Sequence, residues 1–378
     1  MPIDQPLLAA LRTVDDPRLG RSVVELGMVK GATVERGTAV VAIALPLAPS
    51  DDGAELRRRV ADAMRGVEGV SRVELDVRAM TDDERKTVAN VLKGVSPLSL
   101  TDASAAGSAP RTRTNPFTTS RTRILAVSSG KGGVGKSSVT TNLSIALAQR
   151  GRDVAALDAD VWGFSMPRML GVGEPPDLID DVIVPPVANG VRLVSMGFFA
   201  REDQAVVWRG PMLHKALEQF LTDVHWGDPD YLVVDMPPGT GDVSISMAQF
   251  LPRAEVVVVT TPQPAAQKVA QRAAAMARKV NLSVVGVIEN MSWFRGDDGK
   301  AYEIFGAGGG QELAADLGVP LLGRVPLVPA LREGGDEGRP IVVSDPGNEA
   351  AEAFRAIAET LDTELAPSRR DHPELRIT

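Results

Sequence analysis

Residues 128–138 read Ser-Ser-Gly-Lys-Gly-Gly-Val-Gly-Lys-Ser-Ser, and Gly130 to Ser137 satisfies the spacing G-x-x-x-x-G-K-[ST]. That spacing does phosphate chemistry. Gly130, Gly132, Gly133 and Gly135 let the backbone wrap closely enough for amide N–H groups to point at phosphate oxygens. Val134 and Ser138 belong to the same ATP-binding loop. The positive end of the following helix adds to the attraction for an anion. Lys136 is placed to neutralise the β- and γ-phosphates, and the Ser137 hydroxyl to sit on Mg²⁺. Lys131 is the unusual residue, too displaced along the loop to duplicate Lys136 within one subunit. Two readings of it stand: a cation supplied in trans to a neighbouring subunit's transition state, or a solvated lysine.

Two carboxylate segments complete the chemistry. Ala155-Ala-Leu-Asp-Ala-Asp160 ends a second apolar run, and carboxylates at i and i+2 just past a strand reach the same cleft. Asp160 is expected to position the attacking water and Asp158 to stand in the metal's outer shell. Tyr231-Leu-Val-Val-Asp235 is an apolar strand ending in aspartate, the Walker B arrangement, in which Asp235 holds Mg²⁺ through its water shell. Gly239 and Gly241 free the next loop to approach a γ-phosphate and move after hydrolysis, and Asp242 can cap the helix beyond.

These residues need a rigid frame, and the pattern supplies one. The strand-forming run Arg123–Ser129 precedes the glycine loop, and helical spacing from Ser138 to Arg150 follows it, ending at Gly151. Further strands are expected at Asp153–Leu157, Val191–Met196, Tyr231–Asp235, Glu255–Thr260, Ser283–Glu289 and Leu321–Val325. Helices are expected near Lys136–Arg150, Met212–Val224, Pro264–Val280, Gln311–Leu317 and Asn348–Leu361. Such alternation predicts an α/β fold, a P-loop NTPase with a mostly parallel, doubly wound sheet whose site lies at the carboxyl ends of the strands. Residues 1–93 predict a small α/β domain, with helices at Leu7–Leu11 and Glu55–Met64 and strands at Ala39–Leu45 and Val70–Val77. Residues 94–121 turn to Ser, Thr, Ala, Pro and Gly and read as a flexible linker; 122–366 is the nucleotide-binding domain and 367–378 a tail.

Composition excludes whole classes of function. The 378 residues contain no cysteine, which removes disulfides, thiolate catalysis and every cysteine-ligated zinc or iron–sulfur site built from this chain alone. Histidine is limited to His214, His225 and His372. A formal net charge of −8 disfavours nucleic acid as a partner. No run is apolar enough to span a bilayer and the start lacks a signal-peptide pattern, so a cytoplasmic location is expected.

The loop Gly130–Ser137 resembles the deviant Walker A of MinD/ParA-type ATPases, with Lys131 as its signature lysine. Asp158-Ala-Asp-Val-Trp-Gly-Phe-Ser-Met-Pro167, Trp208-Arg-Gly-Pro-Met212, Asp235-Met-Pro-Pro-Gly-Thr-Gly-Asp242, Glu289-Asn-Met-Ser292 and Ile304-Phe-Gly-Ala-Gly-Gly-Gly310 resemble the Mrp (ApbC) branch, the iron–sulfur cluster carrier ATPases. Asp16 to Met28 resembles the small domain often fused to those proteins. The resemblance implies a homodimer sandwiching ATP with Mg²⁺, slow hydrolysis, Lys131 acting in trans, adenine recognition near Asn290, and apoprotein clients or assembly partners. Thr260-Thr-Pro262 and Val325-Pro326 fall where such proteins line the nucleotide pocket.

One departure is decisive. Where that branch carries Cys-x-x-Cys, this chain reads Trp293-Phe-Arg-Gly-Asp-Asp-Gly-Lys-Ala-Tyr-Glu-Ile304, and Leu45–Asp51 in the small domain also lacks the cysteine often found there. Asp297, Asp298 and Glu303 are hard oxygen donors mismatched to iron sulfide, so no iron–sulfur ligand is assigned. Gly296-Asp-Asp-Gly299 reads as a polar hairpin turn, and Gly306–Gly310 as a mobile glycine hinge before a helix. Three functions stay open: iron–sulfur assembly with cluster ligands from a partner or client, an ATP-driven switch or scaffold that carries no cluster, and a MinD/ParA-like spatial organiser. Against the last, the tail has no clean apolar face for a membrane.

Overall fold

An apolar run bounded by turn residues becomes a strand only where both its faces find cover, and this chain builds two sheets on that rule. The structure, a computed structural model, describes residues 3–47, 51–94, 115–199, 210–239 and 242–365. Most of the expected linker (95–114), the tail, and Trp208, Arg209, Thr240 and Gly241 of the sequence motifs lie outside the described residues. The described residues fall into two compact units that cut across the sequence boundaries expected near 93 and 122. One gathers residues within Met1–Pro116, Glu174–Val187 and Lys215–Asp228; the other gathers those within Phe117–Gly173, Ala188–His214 and Pro229–Thr378.

The first unit begins with α1 (Gln5–Leu11), β1 (Val29–Glu35), β2 (Thr38–Leu45), α2 (Asp51–Arg65), β3 (Arg72–Ala79) and α3 (Asp82–Leu92). β1 and β2 pair antiparallel and β2 and β3 parallel. The turn between β1 and β2 is Arg36-Gly37, both at positive φ, the two-residue geometry whose twist suits a hairpin. α3 starts with a capping box in which the Thr81 hydroxyl accepts from the Glu84 amide and the Glu84 carboxylate accepts from the Thr81 amide. Leu7, Leu11, Val41, Ile43, Val60, Met64 and Val88 form its core, and Ile179, Val182 and Val184 are buried in the same cluster. Those three come from β6 (Asp177–Ile179) and β7 (Val182–Val184), an antiparallel pair contributed from the middle of the chain. Arg18 pairs with Asp177 at 2.7 Å and Lys93 pairs with Asp181, fixing the ends of the hairpin.

β8 (Val187–Ala188) and α6 (Gly210–Thr222) straddle the division, Val187 and Lys215–Thr222 falling in the first unit, and the second unit carries β4 (Arg123–Ser129), α4 (Lys136–Gln149), β5 (Val154–Asp158), α5 (Met166–Leu170), β9 (Val191–Ser195), β10 (Tyr231–Asp235) and α7 (Asp242–Phe250). It continues through β11 (Glu255–Thr260), α8 (Pro264–Lys279), β12 (Ser283–Asn290), β13 (Phe294–Arg295), β14 (Ala301–Tyr302), α9 (Gly309–Leu317), β15 (Leu321–Val325), α10 (Pro329–Asp336), α11 (Ile341–Ser344) and α12 (Glu349–Glu359). The main sheet runs β15-β12-β11-β4-β10-β5-β9-β8, and every neighbouring pair from β15 to β9 is parallel. α4 and α12 pack on each other, as do α8 and α9, and both pairs lie against the sheet. Register sets the site: Asp235 is level with Val127 on one neighbour and with Asp158 on the other.

The shared core of the first unit is testable. Ile179→Ala should lower the unfolding free energy of that unit by about 2–5 kcal/mol, read as faster hydrogen exchange at the β2 amides while exchange in β10 stays unchanged.

Candidate nucleotide and magnesium site

The glycine loop runs from the end of β4 to the start of α4, which it enters through Gly135 at φ 79°. No side chain caps α4, so its first amides are left to face a ligand. The four glycines are not equivalent. A Cβ at Gly130 would collide with the Val269–Ala270 backbone of α8, so that residue is glycine for close packing. A Cβ at Gly132 or Gly133 would meet nothing within 4 Å, which leaves that side of the loop open. At Gly135 a Cβ would collide with the Asn290 side-chain nitrogen.

Below the loop, α4 and β10 meet through one carboxylate. Asp235, fully buried, lies 2.7 Å from Lys136 Nζ and accepts from Ser137 Oγ at 2.6 Å, both through Oδ2. Its Oδ1 accepts from Thr140 Oγ1 at 2.7 Å. Lys136 is itself only 6% exposed, and Asp160 Oδ2 is 3.7 Å from its nitrogen. A buried ammonium is tolerated only with such partners. The hydroxyl and carboxylate oxygens are hard donors of the class Mg²⁺ takes, so Ser137 and Asp235 fit the metal.

Asp158 and Asp160 come together with Lys136 and Asp235, in different capacities. Both oxygens of Asp158 are engaged: Oδ1 accepts from the Asp160 amide, and Oδ2 from the Ser165 and Met166 amides and from Ser195 Oγ. Those bonds make Asp158 the anchor of loop 159–166, which carries Asp160. Burial, and then the neighbouring Asp235 charge, push the Asp158 carboxyl up to about 7. Asp160 accepts from the Gly163 amide, and burial raises its carboxyl as well, with Lys136 acting in the opposite direction.

Asn290 ends β12 under the loop. Its Nδ2 donates to Val134 O at 2.8 Å, while its buried Oδ1 has no partner. Thr261 Oγ1, just past β11, is also buried without a partner. Lys131, half-buried, reaches Gln263 Oε1 at 3.4 Å. Gly309 and Gly310 are close-packed, Gly309 against Pro262 O and Gly310 against Glu289, whose carboxylate caps α9 by accepting from the Gly310 amide. The glycine-rich stretch serves tight packing at Gly309 and Gly310 and positive φ at Gly306 and Gly308. Thr140 and Gln263 carry no assignment from the sequence, although Thr140 lies three residues after Ser137 on the same helical face; Glu289 opens the Glu289–Ser292 motif, but its bond to the Gly310 amide is visible only in the fold.

The geometry agrees with two family models. Residues 120–362 match the NUBPL iron-transfer P-loop NTPase model, and residues 4–75 match an iron–sulfur cluster assembly protein model. The chain belongs to the NUBPL iron-transfer P-loop NTPase family. Within that family it is 44% identical to the iron–sulfur cluster carrier protein of Mycobacterium leprae, over 96% of each chain. It is 40% identical to the carrier protein of Synechocystis, over 94% of this chain and 96% of that one. A nucleotide-binding protein from Archaeoglobus fulgidus, solved with ADP, superposes with a TM-score of 0.53 at 32% identity, covering 61% of this chain and 91% of that one. The cell-division ATPase MinD of Pyrococcus furiosus gives 0.52 at 27% identity, covering 65% and 99%. These matches establish the P-loop NTPase fold expected from the alternating pattern.

In this NUBPL-type chain the interval without cysteine folds as the hairpin β13–β14, closed by the Gly296–Gly299 turn. Arg295 and Trp293 Nε1 both hold Glu349, and Tyr302 OH donates to Asp298. Among the described residues, no group of three His, Cys, Asp or Glu side chains is placed to hold a metal ion. No helix among them is long and apolar enough to cross a membrane.

Two outcomes follow from the geometry. Gly135→Ala should abolish binding of a fluorescent ATP analogue while far-ultraviolet circular dichroism stays native, because the new Cβ displaces Asn290 and strains the left-handed φ. Asp158 should titrate near 7 by carbon-13 carboxyl NMR in the nucleotide-free protein. Its folded value lies above the ordinary 3.8, so the stability it contributes is present below pH 3.8 and is lost as pH rises through about 7.

Proposed function

We propose that the chain binds ATP with Mg²⁺ as a homodimer, hydrolyses it slowly, and uses that cycle in iron–sulfur cluster assembly or transfer to apoproteins in the cytoplasm. The observation that carries this reading is Asp235 joined at once to Lys136, Ser137 and Thr140 beneath an open glycine loop. The amides of residues 130–138 cradle the phosphates, and Lys136 neutralises their charge. Ser137 and Asp235 hold the metal, which supplies electrostatic stabilisation of the transferring phosphoryl group. Asp160, anchored through Asp158, orients the attacking water. The unpartnered Asn290 Oδ1 is an acceptor suited to the adenine amino group. Lys131 lies outside the Lys136 cluster and acts across the dimer.

The cluster is cargo in this scheme, and the chain's own donors do not fit it. With no cysteine in 378 residues, thiolate ligands come from the partner or the client. The same observation favours a second reading, an ATP-driven switch or scaffold that carries no cluster.

Lys136→Ala should abolish ATP binding by calorimetry, whereas Asp160→Asn should keep binding and cut turnover by roughly 10²–10⁴-fold, the usual worth of a positioned base. Normal hydrolysis by Lys136→Ala would refute the site. Anaerobic reconstitution with iron and sulfide separates the two readings. A cluster forming only when a thiolate-bearing apoprotein is added supports the assembly role, and none under either condition supports the switch.

A further inference from the structure

We infer that Thr140 is a positioning residue for the metal-binding carboxylate, its hydroxyl fixing Asp235 in the orientation that receives Mg²⁺. This rests on the MgATP reading above. Lys136, Ser137 and Thr140 lie on one face of α4, at spacings of three and four residues. All three bond Asp235, but they divide its oxygens: Lys136 and Ser137 share Oδ2, and Thr140 bonds Oδ1. With nucleotide and metal bound, Lys136 turns to phosphate and the Ser137 oxygen to the cation. Thr140 is fully buried one turn deeper and has neither duty. It is the donor that stays.

An ordinary helical back-bond is the competing account, since Thr140 Oγ1 also lies 3.0 Å from Lys136 O and α4 has other such bonds at Asn142 and Ser144. The hydroxyl has one proton to give. The charged carboxylate oxygen is both closer, at 2.7 Å, and the stronger acceptor. A back-bond alone would affect helix stability and leave the metal untouched.

The test is a titration of the full-length protein with fluorescent ATP at free Mg²⁺ from micromolar to millimolar, alongside urea unfolding. Thr140→Val and Thr140→Ala should raise the Mg²⁺ midpoint for enhanced nucleotide binding about 10- to 100-fold, the usual loss when a partner of a metal-binding side chain is removed. Nucleotide affinity in EDTA should stay at the wild-type value. Thr140→Ser, which keeps the hydroxyl, should match wild type. Midpoints for Val and Ala within twofold of a Mg²⁺-dependent wild type would overturn the inference. So would a Thr140→Ser midpoint raised 10-fold or more above wild type, a comparison that holds even if Val and Ala fail to fold. A wild type whose affinity ignores Mg²⁺ would instead refute the MgATP reading, and this inference with it.

Discussion

The second unit depends on one buried carboxylate. Asp235 ends a strand flanked on both sides by parallel neighbours, and a single helix turns a lysine and two hydroxyls onto it. This pins α4 to the sheet at the point where the glycine loop must end. It also accounts for the electrostatics of the cleft. Three carboxylates, Asp158, Asp160 and Asp235, share the neighbourhood of one ammonium, that of Lys136, and burial followed by the Asp235 charge raises the Asp158 carboxyl to about 7.

A second set of contacts leads away from the loop. Glu289 sits beside Asn290 on β12, caps α9, and pairs with Arg324 at 3.0 Å. The Arg324 guanidinium lies 5.5 Å from the Trp293 ring centre, and Trp293 shares Glu349 with Arg295 of the hairpin. Side chains in direct contact thus connect the end of β12 to the interval where the resembling branch places its cysteine pair. What replaces those cysteines is a folded element with exposed Tyr302, held by ion pairing.

Much of this was legible in residue order. The glycine loop, Asp160 and Asp235 announce themselves because their chemistry demands fixed spacing, and parallel strands such as β10 and β11 because burial on both faces leaves them uniformly apolar. β1 escaped because only two of its seven residues are buried, so no apolar run marks it. α3 escaped although its capping box, Thr81 with Glu84, stands in the sequence. The anchoring bonds of Asp158 escaped for a different reason. Its partners Ser165, Met166 and Ser195 are set by loop geometry and strand order, and spacing along the chain records neither. Gly130 and Gly135 read as phosphate glycines, yet their requirement also comes from α8 and Asn290, more than a hundred residues away.

The interleaving of the first unit bears on how the chain is made. Its core takes side chains from the N-terminal helices and again from Ile179, Val182 and Val184, and its boundary extends to Asp228. Domains usually fold in order as they leave the ribosome. Here the earliest residues to emerge wait for a hairpin synthesised more than eighty residues after α3, by which time β4, α4 and β5 are already available. The nascent chain therefore leaves part of that apolar core uncovered until residues 177–184 have been synthesised.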